Sequence, residues 1–324
     1  MPQQYTAHLM MIRPACFQFN METAASNAFQ HAIEGLSKEE IKQKAIAEFD
    51  NYVNTLQEHK INVLVIQDTK EPAKPDAIFP NNWISMHANG QVCLYPMFTP
   101  NRRTEVRKEI LDTLKNNFNI IEIKDYTSYA LQHQFLEGTG SIIFDHIHRI
   151  AYACLSPRTD QTLFIQFCKE IDYEAVYFSA VDAQKKAIYH TNVMLTIGDT
   201  FAVICLDSIT NEAEQKIVVE KLEQTGHEII AISLEQMNAF AGNMLQVINE
   251  DGKTYLIMSE TAYDSLNAQQ IKQLKKHTSI LSVEIPTIET IGGGSARCML
   301  AEIFLEKIKL TAISFSIYRI LRIL

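Results

Sequence analysis

Long apolar runs are missing from this 324-residue chain. No segment reaches the ~18 apolar residues that a membrane-spanning helix needs. The N-terminus MPQQYTAHLMMIRP has no basic start followed by an apolar stretch, so no signal peptide is expected and a cytoplasmic location is. Positive charge is in deficit. The 29 Lys and Arg stand against 38 Asp and Glu, a net charge of -9 that excludes the usual footprint for nucleic acid or an anionic membrane. The six cysteines (16, 93, 154, 168, 205 and 298) form no CxxC pair and no regular spacing. They read as reduced thiols, neither a disulfide frame nor a zinc cage.

Against these absences, one stretch spends backbone freedom on a single thiol: GGGSARC, residues 292 to 298. Three adjacent glycines indicate a sharp bend or a close backbone approach. The plain alternative is a glycine-rich turn before a final strand, with Cys298 as a small core residue. The last fourteen residues, TAISFSIYRILRIL (311–324), are apolar with two arginines and no acid. They suit either a surface-seeking amphipathic helix or a packed tail, and their role is left open. Residues 1–310 are expected to form a single domain.

The chain repeats itself. NNWISMHANGQVCLYPM turns at Asn89-Gly90, and GTGSIIFDHIHRIAYACLSP turns near Asp145-His146. TNVMLTIGDTFAVICLDSI turns at Gly198-Asp199, and GNMLQVINEDGKTYLIMSE at Asp251-Gly252. Turns of this composition between β-rich runs are hairpin signals, because Asn, Asp and Gly tolerate positive φ. A one-sided helical pattern and a short strand follow each hairpin: RRTEVRKEILDTLKNN before IIEIK, TDQTLFIQFCKE before EAVYFSA, NEAEQKIVVEKLEQTG before HEIIAIS, and AYDSLNAQQIKQLKKH before SILSVEI, with Gly226 a candidate C-cap. That makes four ββαβ units. A fifth is assembled from both ends: GGGSARCMLAEIF pairs with HLMMIRP, then come SKEEIKQKAIAEFDNYVNTLQ and INVLVIQ. The expected fold is a five-bladed α/β propeller whose N- and C-terminal strands close one blade, removing free sheet edges. An open α/β sheet competes, but its βαβ units lack the hairpin.

Asn82, Glu137, His190, Asn243 and Cys298 each lie at or just before the first strand of a unit. In a pseudo-fivefold ring those strand ends meet at one mouth. A thiol, an imidazole and a carboxylate brought together there support nucleophilic catalysis: His190 handles protons and Glu137 orients it. Each has a plainer reading. His190 caps a strand, with His87, His133, His146 and His148 as rivals; Glu137 is a turn residue; Asp76, between two prolines, shapes a turn. A metal site at DHIHR, using Asp145, His146 and His148, is the weaker alternative.

The motifs PDAIFPNNW, LEGTG, YHTNVM, FAGNML and GGGSARCM, in this order, resemble the guanidine-modifying superfamily. That group includes arginine deiminases, dimethylarginine dimethylaminohydrolases and amidinotransferases. More narrowly, the chain resembles bacterial citrulline utilization hydrolases, over nearly its whole length. The resemblance implies the pentein propeller and a covalent mechanism with no metal and no cofactor. It makes Cys298 the nucleophile, His190 the acid–base group, Glu137 the active-site glutamate and Asp76 a substrate-binding acid.

The departures are informative. Asn81 and Asn82 stand where relatives that bind a guanidinium commonly carry an acidic pair, and His190-Thr191-Asn192 replaces a His-x-Asp. Asparagine both donates and accepts, which suits a neutral ureido group better than a cation. The expected reaction is therefore hydrolysis of citrulline to ornithine, ammonia and carbon dioxide, with Asn243 also at the site. Arg13 and Arg297 are candidates for the substrate carboxylate, or else structural ion pairs. Rival readings are an arginine deiminase or dimethylarginine dimethylaminohydrolase, an amidinotransferase, and a catalytically silent binder of an arginine-like amino acid. The expected partner is a small amino acid, not nucleic acid or membrane; a homodimer is left open.

Overall fold

Among the described residues, fifteen short strands arrange themselves in five separate three-stranded sheets, each built on one plan. The computed structural model describes residues 3–308, so the expectation for residues 311–324 lies outside the described residues. The second to fourth sheets run β3 (Ile84–Met86), β4 (Gln91–Leu94), β5 (Glu122–Asp125); β6 (Ile143–Asp145), β7 (Ile150–Cys154), β8 (Glu174–Phe178); and β9 (Leu195–Ile197), β10 (Phe201–Ile204), β11 (Glu228–Ala231). The fifth is β12 (Leu245–Ile248), β13 (Thr254–Ser259), β14 (Ser279–Val283). In each, the first two strands are antiparallel and the third joins parallel after a helix. That is the ββαβ unit read from the sequence.

The remaining sheet joins the two ends of the described chain. β1 (His8–Arg13) pairs in parallel with β2 (Asn62–Gln67) and antiparallel with β15 (Ala301–Glu302), through Leu9 opposite Glu302. The first strands of successive units touch: β15 lies against β3, β6 against β9, and β9 against β12.

The helices form where caps and patterns direct. Ser37 and Glu40 make a capping box on helix Lys38–Glu58, which buries Ile41, Ala45, Phe49, Tyr52 and Leu56 along one stripe. Asn211 caps Glu212–Gln224, and Gly226 follows that helix at a φ of 80°. Two helical expectations are corrected. RRTEVRKEILDTLKNN is helical only from Lys108; Pro100–Glu105 forms a 3-10 turn that carries Arg102 into the interior. AYDSLNAQQIKQLKKH breaks at Asn267, whose side chain caps the second piece. Among the described residues no helix is long and apolar enough to cross a membrane.

Candidate active site

Each unit delivers a short turn just before its first strand, and the five turns converge. Pro80–Asn82, Gly138–Ser141, Thr191–Val193 and Ala296–Met299 are single helical turns, and the fifth position is Asn243. Their approach is close enough to require glycine. A Cβ on Gly140 would sit 2.5 Å from Asn82 Nδ2 and 2.8 Å from His190 Nδ1.

The triple glycine has two separate uses. Gly293 ends helix Pro286–Gly292 in the left-handed region, at a φ of 62°. Gly292 and Gly294 let Phe79 pack where a Cβ would crowd it, at 2.7 Å and 3.0 Å. The turn they release is pinned on several sides: Tyr189 Oη donates to the Gly293 carbonyl (2.6 Å) and Asn27 Nδ2 to the same oxygen (3.1 Å). Ser295 Oγ donates to Glu289 Oε1 (2.5 Å), and the Cys298 N–H donates to the Ser295 carbonyl (2.9 Å).

Cys298 lies in this turn, 3% exposed. Asn192 Nδ2 and Asn243 Nδ2 approach its sulfur at 3.4 Å and 3.3 Å. Asn243 also receives the Arg297 N–H on Oδ1 (3.0 Å) and donates to the Asn192 carbonyl (2.8 Å). Burial pushes the Cys298 thiol up, and these donors and Arg297 offset only part of that.

His190 Nε2 meets Glu137 Oε2 at 2.7 Å, both side chains buried. Burial alone would raise the Glu137 carboxyl, but Arg158 (Nη1 to Oε2, 3.4 Å) and the imidazole outweigh it and hold it at about 2. Burial lowers His190 to about 4, against the opposing pull of Glu137. The pair is therefore an ionised carboxylate and a neutral imidazole. Its hydrogen bond to a carboxylate assigns the proton to Nε2, which leaves the Nδ1 lone pair free.

Cys298, His190, Asn82 and Asp76 line one cavity of about 10 Å3, space for a single water molecule. Segment 20–30 covers it: Asn20 Nδ2 donates to Asp76 Oδ2 (2.7 Å), and Arg158 Nη2 donates to the Thr23 carbonyl (3.4 Å) and Ser26 Oγ (2.7 Å). Asp76 Oδ1 has no partner among the described residues, and burial pushes this carboxyl up despite Arg102 nearby.

The expected substrate residues divide. Asn192 and Asn243 sit on the sulfur. Asn82 reaches the cavity but is engaged on both sides, accepting from Arg102 Nη1 (2.7 Å) and donating to Asn81 Oδ1 (3.0 Å). Asn81 is fully buried behind it. Of its two readings, Arg13 takes the structural ion pair: it meets Asp50 (2.7 Å), half-exposed, and the Asp50 carboxylate on helix Lys38–Glu58 draws it to the outer face. Arg297 does the same. Its guanidinium turns away from the cavity to the Leu300 carbonyl (2.8 Å) and Glu302 (2.9 Å).

In their place stand Arg102 and Arg158, both buried, which sequence reasoning missed. Arg102 makes a paired contact with Glu105 (2.8 and 2.9 Å); Arg158 lies over the Tyr189 ring and keeps Nε unpartnered. A signal existed. Both follow the second strand of a unit, in TPNRRT and LSPRTD, the same place in the repeat. At DHIHR the side chains diverge, Asp145 to His148 (2.8 Å) and His146 to Tyr173 (2.9 Å). Among the described residues no group of three or more His, Cys, Asp or Glu is placed to hold a metal ion.

The family described as N,N dimethylarginine dimethylhydrolase, eukaryotic, matches residues 13–305. No curated protein matches the chain. Among solved structures, the chain is 16% identical to the N-terminal domain of ArgZ bound to substrate, an arginine dihydrolase from the ornithine-ammonia cycle in cyanobacteria. It covers 92% of this chain and 99% of that one, with a TM-score of 0.71. Unliganded AgrE gives 15% identity and a TM-score of 0.72, covering 94% of this chain and 40% of AgrE, so the chain spans two fifths of that protein. A DDAH mutant from Pseudomonas aeruginosa, complexed with citrulline, gives 13% identity and a TM-score of 0.62, covering 91% and 98%. At these identities the likeness is one of fold.

Proposed function

The chain belongs to the N,N dimethylarginine dimethylhydrolase, eukaryotic, family of hydrolases acting on non-peptide C–N bonds, and from that membership we propose that Cys298 attacks the planar carbon of a ureido or guanidino group in a small arginine-related amino acid. The observation that carries the proposal is the meeting of Cys298 and His190 at one covered cavity, with Glu137, from a third unit, hydrogen-bonded to His190.

The chemistry follows from the protonation states. Thiol and imidazole are both neutral in the free site, so attack requires the Cys298 proton to pass to His190 Nδ1 as the C–S bond forms. The ionised Glu137 stabilises the resulting imidazolium. That imidazolium then protonates the departing nitrogen, whose bond to carbon breaks, and an S-linked intermediate remains. His190, neutral again, takes a proton from water as it attacks the same carbon and releases the sulfur. With citrulline the departing amine is ornithine, and the hydrolysed carbamoyl group falls to ammonia and carbon dioxide.

The neutral ureido group is the leading substrate end. Arg102 and Arg158 both line the cavity and already occupy the carboxylates of Glu105 and Glu137, which are therefore not left to match a cationic substrate. Glu137 is already engaged by Arg158 and His190, leaving Asp76 Oδ1 as the free carboxylate oxygen for a substrate NH2. Arg158, with Nε unpartnered, replaces Arg13 and Arg297 as the group for the α-carboxylate. The cavity is too small for an amino acid as it stands, so segment 20–30 moves when substrate enters. The family match favours a second reading, hydrolysis of a methylated arginine to citrulline and an amine.

The test is to incubate purified protein with citrulline, arginine and methylated arginines, and to measure ornithine, citrulline, ammonia and methylamines. Ornithine from citrulline supports the leading reading. Turnover of an arginine without turnover of citrulline rejects it.

A further inference from the structure

On the other side of the covering segment lies a far larger cavity, of about 420 Å3, whose role the chemistry above does not use. Its size falls within the range of small-molecule sites. Phe29 of the covering segment and His31 just after it form one wall; Asp182, Asn238, Phe240 and Glu289 contribute to the others. Among the described residues no lysine or arginine lines it.

Two carboxylates, Asp182 and Glu289, line this space, and neither forms an ion pair among the described residues. Glu289 is held by hydroxyls alone, Ser295 Oγ on Oε1 (2.5 Å) and Thr261 Oγ1 on Oε2 (2.7 Å), and burial with Glu48 nearby pushes its carboxyl up. Asp182 is fixed by the N–H groups of Gln184 and Lys186, both donating to Oδ1 at 2.9 Å, and its other oxygen has no partner among the described residues. Phe29 and Phe240 stand with ring centroids 5.2 Å apart at the same cavity. Aromatic faces together with carboxylates are what an organic cation binds to. The Glu289 carboxylate is also the one that takes the Ser295 hydroxyl, in the turn that carries Cys298.

We propose that this cavity, walled by Phe29, Phe240, Asp182 and Glu289, is a second ligand site that takes a small organic cation with an ammonium or guanidinium head.

Titration calorimetry of the whole protein with n-butylguanidinium and with n-butylammonium tests this, using neutral n-butylurea as control. Neither probe carries an α-carboxylate. At least one cation binds with unit stoichiometry, and the urea binds at least ~10-fold more weakly. Asp182→Asn, which keeps the Oδ1 contacts, weakens the cation ~10-fold, while Asp76→Asn in the catalytic cavity changes it less than twofold. Raising the salt concentration weakens it several-fold. Phe29→Leu provides a second variant, expected to lose several-fold through the missing ring. Absence of cation binding, equal binding of the urea, or loss with Asp76→Asn but not with Asp182→Asn overturns the proposal. The assay reads binding alone, so its failure leaves the reading of Cys298 untouched.

Discussion

Glu137 and His190, fifty-three residues apart in the chain, share a 2.7 Å hydrogen bond that sets the state of both. Arg158 on the same carboxylate keeps it ionised, and the ionised carboxylate keeps the imidazole proton on Nε2. Removing the charge removes that preference. Glu137→Gln is expected to lower kcat at least ~100-fold while shifting KM less than tenfold. Steady-state kinetics on the substrate that turns over checks it.

Cys298→Ala is expected to abolish turnover and leave the fold intact, since only a small buried sulfur is lost. Mass spectrometry of the quenched reaction should find the S-linked adduct on the Cys298 peptide of the native protein. Turnover retained by the alanine variant would end the covalent mechanism.

The thiol is also predicted to react slowly near neutral pH. Its pKa lies above the ordinary thiol value because of burial, so iodoacetamide labelling of the Cys298 peptide should accelerate only as pH rises past that value. Asn243→Ala removes a donor to the sulfur and leaves the Arg297 N–H and Asn192 carbonyl without their partner. It should push labelling to still higher pH and cost about 1–3 kcal/mol of stability.

Gly140→Ala tests the close approach of the turns. The added methyl meets Asn82 and the His190 ring at 2.5–2.8 Å, so one must shift. Activity is expected to fall more than tenfold, with a smaller fractional loss in thermal midpoint. Arg13→Ala is the contrasting case: an outer ion pair is lost, worth under about 1 kcal/mol, with no change in KM.

Stability should fall as the solution is acidified below neutrality. His87 is buried and neutral, lowered from 6.5 to about 4 by desolvation and by Lys124, and His190 behaves alike. Each takes up its proton more readily when unfolded. Their contribution is intact above pH 6.5 and is lost as pH falls toward 4, by on the order of 3 kcal/mol each at most. Glu137, lowered to about 2, adds a separate loss between pH 4.5 and 2. Urea unfolding of His87→Gln across pH 7 to 4 should show a shallower slope than the native protein.

Periodicity and turn chemistry, properties of neighbouring residues, were enough to read five ββαβ units from the amino-acid order. The same local signals placed Asn82, Glu137, His190, Asn243 and Cys298 at equivalent strand starts, and the motif resemblance singled out the thiol, the imidazole and the carboxylate among them. Which charged side chains enter the cavity is another matter. Arg13 and Arg297 satisfy their charge against Asp50 and Glu302, whereas Arg102 and Arg158 turn inward to Glu105 and Glu137. Arg102 and Arg297 each have their carboxylate within five residues, yet one guanidinium enters the cavity and the other leaves it, so the nearby residues do not state the direction. Long side chains can reach several carboxylates, and only the folded arrangement decides which of them lie within reach.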